Sequence, residues 1–225
     1  MASSQQKGQS RTQVPRLDSR YFVPDLSPEF HLALRRVKPK YVFVAESPHI
    51  HEVSPELLEQ RRPLCGAAGK KWWGSLGELL EGDQHTDLSL ESLLRFCAKH
   101  HVVILNAVQF PLDPKVSQEF PEADPVKNLG FNKVSGPHSF KRLKEVNVVV
   151  HRVQNLSQRL EHPSIRHLPI HSLGNDSEWF VKRALVELGQ EERFGSKIPH
   201  PSAWWRKGGY FGKVAQSQLK TIFKA

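Results

Sequence analysis

Tyr41-Val42-Phe43-Val44-Ala45 is an unbroken run of β-branched, aromatic and small apolar residues with no polar position in alternation. A strand of that makeup has both faces buried, and such strands belong to parallel sheets covered by helices on either side. A second run, His101 to Asn106, has the same character. Arg166 to Leu173 and the short Lys197-Ile198-Pro199 are read as a third and a fourth strand.

Between these runs the apolar period changes from that of a strand to that of a helix. A helix begins at Gly66 to Trp73 and continues through Leu76, Leu79 and Leu80, and Leu88 to Ala98 reads as another. Val146 to Leu160 carries a stripe at 146, 149, 150, 153, 156 and 160. After Gly174, Asp176 or Ser177 is suited to cap a helix with apolar positions 180, 181, 184, 185 and 188, which Gly189 stops. A closing helix is expected from Tyr210 to Phe223, and a short one from Pro28 through Leu34, capped by Ser27. Strands alternating with helices predict an α/β fold, a three-layer αβα arrangement around a mostly parallel four-stranded sheet.

Residues 1–22 are rich in Ser, Gln, Lys and Arg and too poor in apolar side chains to repay the entropy of ordering, so a basic disordered tail is expected, followed by a single domain over 23–225. Residues 107–140 form a long excursion with several Pro, Gly and Asn and no clear period. No apolar run approaches the roughly 20 residues that span a bilayer, and the first residues lack the apolar stretch of a secretory signal. A soluble intracellular monomer is expected, cytoplasmic in a bacterium or nuclear in a eukaryote. Cys65 and Cys97 are the only cysteines, too few for a four-cysteine zinc site or an all-cysteine iron–sulfur cluster, and inert buried thiols are expected.

The 225 residues hold 32 Lys and Arg against 23 Asp and Glu, a net charge of +9. From Arg193 onward there are basic residues and no acidic one. A field of one sign points to a polyanionic partner. Within this segment Pro199 and Pro201 flank His200, and their fixed φ makes the loop stiff. The imidazole is either an aimed site group or part of an ordinary surface turn.

Each strand run ends on a candidate site residue. Ligands in open parallel sheets bind beyond the carboxyl ends of strands, where Glu46, Asn106 and His200 would converge. Glu46 is a site carboxylate or a strand-end salt-bridge partner. Asn106 offers a donor and an acceptor to a base edge, or closes a turn. Gly66-Ala67-Ala68-Gly69-Lys70-Lys71 looks like a phosphate loop but has the wrong glycine spacing, and Lys71 stands where Ser or Thr is needed. Its small residues and Lys70 serve either phosphate contact at a helix start or close helix packing. Twelve histidines and the His49-Ile50-His51 pair raise a metal-dependent hydrolase, but no ligand spacing supports it, so neither metal nor cofactor is expected.

These pieces resemble the uracil-DNA glycosylase superfamily from about residue 38 to the end. Val44-Ala45-Glu46-Ser47-Pro48 resembles the G-E-A-P-G motif of its iron–sulfur branch, and Arg62-Pro63-Leu64-Cys65-Gly66-Ala67-Ala68-Gly69 the R-P-F-V-G-x-A-G that follows there. Leu105-Asn106-Ala107-Val108 is similar to the L-L-N-A-V of the main uracil-removing branch, and His200-Pro201-Ser202 to its H-P-S-P-L. The resemblance implies a glycosylase-like fold and metal-independent hydrolysis of the N-glycosidic bond of a flipped uracil or related base in DNA. It makes Glu46 and His200 catalytic and gives base recognition to Asn106, His49, Ser47 and Leu64. Trp204 would fill the gap left by the flipped base, and Ser202, Trp205, Arg206, Lys207 and Lys70 would contact DNA.

There are departures. Ser47 stands where the most active branch has a catalytic Asp, Leu64 where the iron–sulfur branch has a stacking Phe, and the cluster cysteines are absent. Trp72 or Trp73 is a candidate for the missing stack. The alternative implied is a relative that binds DNA without cleaving it.

Overall fold

A computed structural model describes residues 37–49, 52, 64, 66–109 and 147–224. The expected N-terminal tail, the helix after Pro28, Cys65 and residues 110–140 of the long excursion lie outside this set. Strand β1 is Tyr41–Ala45, followed by helices α1 (Ala67–Glu81) and α2 (Leu90–His100), strand β2 (Val102–Asn106), α3 (Asn147–Leu160), β3 (Ile170–Leu173), α4 (Asn175–Leu188), β4 (Phe194–Ile198) and α5 (Tyr210–Lys224). The sheet order is β2-β1-β3-β4 and every pairing is parallel. The protein is therefore an α/β fold with a four-stranded parallel sheet, as the apolar runs require.

β1 is central, which is why it is apolar throughout. Val42, Phe43, Val44 and Ala45 are all buried. Phe43 meets Trp72 of α1 at 5.1 Å between ring centroids and Phe223 of α5 at 6.0 Å. Val42 and Val44 point to the opposite face, where Ser177 of α4 donates a hydrogen bond to the Val44 carbonyl. Trp72 and Trp73 are fully buried, Trp73 edge-on against Phe96 of α2. The idea that either supplies a base-stacking ring is corrected: both are core residues.

Several boundaries move for identifiable reasons. His101 takes a left-handed conformation (φ 58) and closes α2 through its N–H to the Cys97 carbonyl, so β2 begins at Val102. Its own carbonyl accepts from the N–H groups of Lys40 and Tyr41, tying the start of β1 to the end of α2. β3 starts only at Ile170, because residues 162–168 are coiled into turns, with Ile165 and Arg166 donating to the His162 carbonyl, and Pro169 has no N–H for a ladder. β4 reaches back to Phe194: it is an edge strand of alternating burial, a pattern diluted by Gly195, Ser196 and Lys197. Pro199 ends it. The expected side-chain cap of α4 is also corrected. Gly174 occupies the cap position at φ 95 with no side-chain cap, while Ser177 is turned into the core.

Among the described residues no helix is long and apolar enough to cross a membrane. Cys97 is buried, and desolvation pushes its thiol up to about 12, as an inert structural cysteine should be.

Candidate functional site

The crossover from β1 leads to β2 on one side, while β3 and β4 build outward on the other. This reversal opens a crevice at the carboxyl ends of β1 and β3, the position where doubly wound sheets bind ligands. A cleft of about 620 Å³ lies there, with Glu46, Gly174, Asp176, His200, Arg206 and Tyr210 among its walls. That volume is in the range of small-molecule sites. Glu46 follows β1 directly and is half-buried, its carbonyl held by the N–H of Val108 at 2.9 Å.

His200 is held from three directions. Pro201 starts a short 3₁₀ turn, Pro201–Ala203, for which His200 is the cap: the Ser202 N–H donates to Nδ1 at 3.2 Å, and the Ser202 hydroxyl lies 2.7 Å from the same nitrogen. A backbone N–H can only donate, so Nδ1 is the acceptor and the ring proton resides on Nε2. Burial, and after it the positive charge of Arg206, hold the imidazole below the ordinary histidine range, which keeps it neutral. On the third side is Gly174, where a Cβ would lie 3.0 Å from the His200 Cβ, at a φ that side chains resist. Ser202, expected to contact DNA, is thus engaged with the imidazole and sets its tautomer.

Asn106 ends β2 opposite Ala45 in the ladder. It is buried, its side-chain oxygen has no hydrogen-bond partner, and it is not among the side chains lining the cleft. The expected convergence of Glu46, Asn106 and His200 therefore holds for the sheet edge, and for the cleft itself only for Glu46 and His200. Arg159, fully buried on α3, donates to the carbonyls of Asn106 at 2.6 Å and Ala107 at 2.9 Å and fixes the turn after β2. Sequence reasoning missed this residue; its signal is a cation beside the apolar stripe of 153, 156 and 160. It also missed Asp176 as a cleft residue. Asp176 has a buried, unpartnered Oδ1, and desolvation raises its carboxyl above the usual range.

The small residues before α1 serve close packing. Leu64 is buried at φ 52, and a Cβ on Gly69 would fall 1.4 Å from its carbonyl oxygen. The ring of His49 is laid over Gly66, the first residue of this helix start, 3.0 Å from where a Cβ would stand. His49 is otherwise exposed, its N–H donating to Glu52 at 3.0 Å, and Ser47 is half-buried at the end of β1. Lys70, Arg206 and Lys207 are exposed.

Of the two adjacent tryptophans, Trp204 is only 6% exposed, packs toward Trp72 and donates to the Pro199 carbonyl at 2.8 Å. Its expected role as a wedge in the DNA stack is corrected, because the ring anchors the His200 loop to the core. Trp205 is 55% exposed, with the Lys71 ammonium 3.7 Å from its ring centre. Among the described residues no cluster of three or more His, Cys, Asp or Glu could hold a metal ion. No family model, no curated protein and no solved structure matches this chain.

Proposed function

We propose that the chain is a DNA base-excision glycosylase that takes a flipped uracil or related base into the cleft and hydrolyses its N-glycosidic bond without a metal. The observation that carries this reading is a half-buried, neutral histidine, with its donor proton on Nε2, sharing a cleft with the Glu46 carboxylate. As the bond from the sugar C1′ to the base nitrogen breaks, its electron pair moves onto the base, and a carbonyl oxygen of the ring gains charge. His200 Nε2–H stabilises that oxygen without having to give up its proton. Glu46 offsets the positive charge on the sugar and orients the water whose oxygen bonds to C1′, and the proton that this water loses ends on the departing base anion. The unpartnered oxygen of Asp176 in the cleft wall is an acceptor for an N–H group of the base.

The test is release of base from labelled oligonucleotides carrying one uracil, single-stranded and opposite G or A, developed with alkali in the presence of chelator. His200→Ala and Glu46→Ala should each slow release by about 10²–10³-fold while leaving the far-ultraviolet spectrum unchanged. Release unaffected by either substitution, or no release from uracil or related bases, overturns the reading. In the second case, retained DNA binding favours the non-catalytic relative, for which Ser47 in the place of a catalytic Asp already speaks.

A further inference from the structure

Next to the cleft is a surface that the proposed chemistry does not use. Trp205 and Tyr210 are 55% and 59% exposed, two of the four large hydrophobic side chains so exposed among the described residues. They sit at either end of one tight turn, in which Lys207, Gly208 and Gly209 all have positive φ and which brings the chain back into α5. Lys71 reaches over one face of Trp205, a ring that stays 55% exposed with that contact made, and Lys207 lies 5.7 Å from the ring of Phe211. Arg206, Tyr210 and Phe211 also form part of the cleft wall, so the surface runs into the site without a break.

The arrangement has a local cause. In the pairs Lys71-Trp72 and Trp204-Trp205, the inner residues Trp72 and Trp204 pack together in the core, and the outer ones, Lys71 and Trp205, meet above them. The exposed ring is therefore set on a rigid base. Lys71 on the ring and Arg206 and Lys207 in the adjoining turn supply cations beside it, and the segment from Arg193 onward contains no Asp or Glu.

We infer that this surface is a stacking platform for unpaired nucleotides, and that the protein engages single-stranded DNA in preference to duplex. A solvated aromatic face can stack only on a base whose own face is free, whereas cations alone would hold either form through the phosphates. The strand then tracks from Trp205 past Tyr210 into the cleft. This inference rests on DNA being the partner, but not on base excision.

The experiment is fluorescence anisotropy of the full chain with a labelled 15-nucleotide thymidine strand and with the same strand annealed to its complement, at matched salt, using DNA that contains no uracil. The single strand should bind on the order of tenfold or more tightly. Trp205→Ala and Tyr210→Ala should each lower single-strand affinity on the order of tenfold and leave duplex affinity unchanged. Trp205→Phe, which keeps an aromatic face, should recover part of the loss. Lys71→Ala should reduce the salt slope by about one for both forms. Equal affinity for the two forms, or equal losses on both from Trp205→Ala, overturns the platform, as does a shift from dimer to monomer on Trp205→Ala, which would make the surface a contact between copies. Base release with no strand preference would sink the platform alone. Strand preference with no base release would sink only the excision reading.

Discussion

A histidine that must donate a proton-bearing nitrogen while staying neutral needs its other nitrogen occupied, and the Ser202 N–H does this for His200. The consequence is a pH profile. Because burial and Arg206 depress the imidazole pKa, protonation would set in only below the 6.5 of a free histidine, and kcat/KM for base release should stay flat through that value before falling. Replacing Arg206 by Ala removes one of the two causes, so the acid limb should move to higher pH. A pH profile of single-turnover rates checks this, and an unmoved limb would separate Arg206 from the imidazole. Residue identity alone left much of this site hidden. His200 and Glu46 stand out because proline neighbours and a strand end mark them. Asp176 reads as a helix cap until the cleft is seen, and nothing in Trp204-Trp205 says which ring faces inward.

At the scale of the element, helix α1 shows how one residue type serves opposite ends. Gly69 has no room for a methyl group against the Leu64 carbonyl, whereas a Cβ on Gly74 would find its nearest neighbour, the Gln84 side chain, at 4.0 Å. Gly69→Ala should therefore destabilise the protein by about 3 kcal/mol or more, since neither the helix nor the carbonyl can retreat without repacking Trp72 and Trp73. Gly74→Ala should stabilise it by about 0.5–1 kcal/mol through helix propensity. Chemical denaturation of both variants tests the pair, and similar effects from both would contradict the close approach. The same contrast explains which elements were legible. β1 and β2 are buried on both faces, so their sequences are continuous apolar runs. β4 is an edge, its alternation is interrupted by Gly195, and only its last residues announced a strand. The expected strand from Arg166 starts before β3 does because Leu168 is apolar for the sake of a packed turn, not a ladder.

For the whole molecule, the sheet has two ends of different character. The carboxyl end carries the cleft, and beneath its opposite end His171 is packed under Gly195, 7% exposed, with Nδ1 lacking a partner. Desolvation takes its pKa down to about 4. Between pH 6.5 and about 4 the folded chain then binds fewer protons at this site than the unfolded chain, so stability must fall as the pH falls through that window. The loss from this residue should approach about 3 kcal/mol and cease below about pH 4. Denaturant midpoints of the protein and of His171→Leu across this range measure it, and parallel curves for the two would assign acid sensitivity elsewhere.

The strand order has a consequence in time. β1 lies between β2 and β3, and Val42 pairs with both Val103 and Ile170. During synthesis, at about 5–20 residues per second, the most apolar strand of the chain emerges early, gains one neighbour with β2, and keeps its other edge open until residues 170–173 leave the ribosome. A ladder of such sequence separation is slow to close, and an open apolar edge is a template for pairing with other chains. The strand that organises the folded sheet is thus also the one that most needs shielding while the chain is still being made.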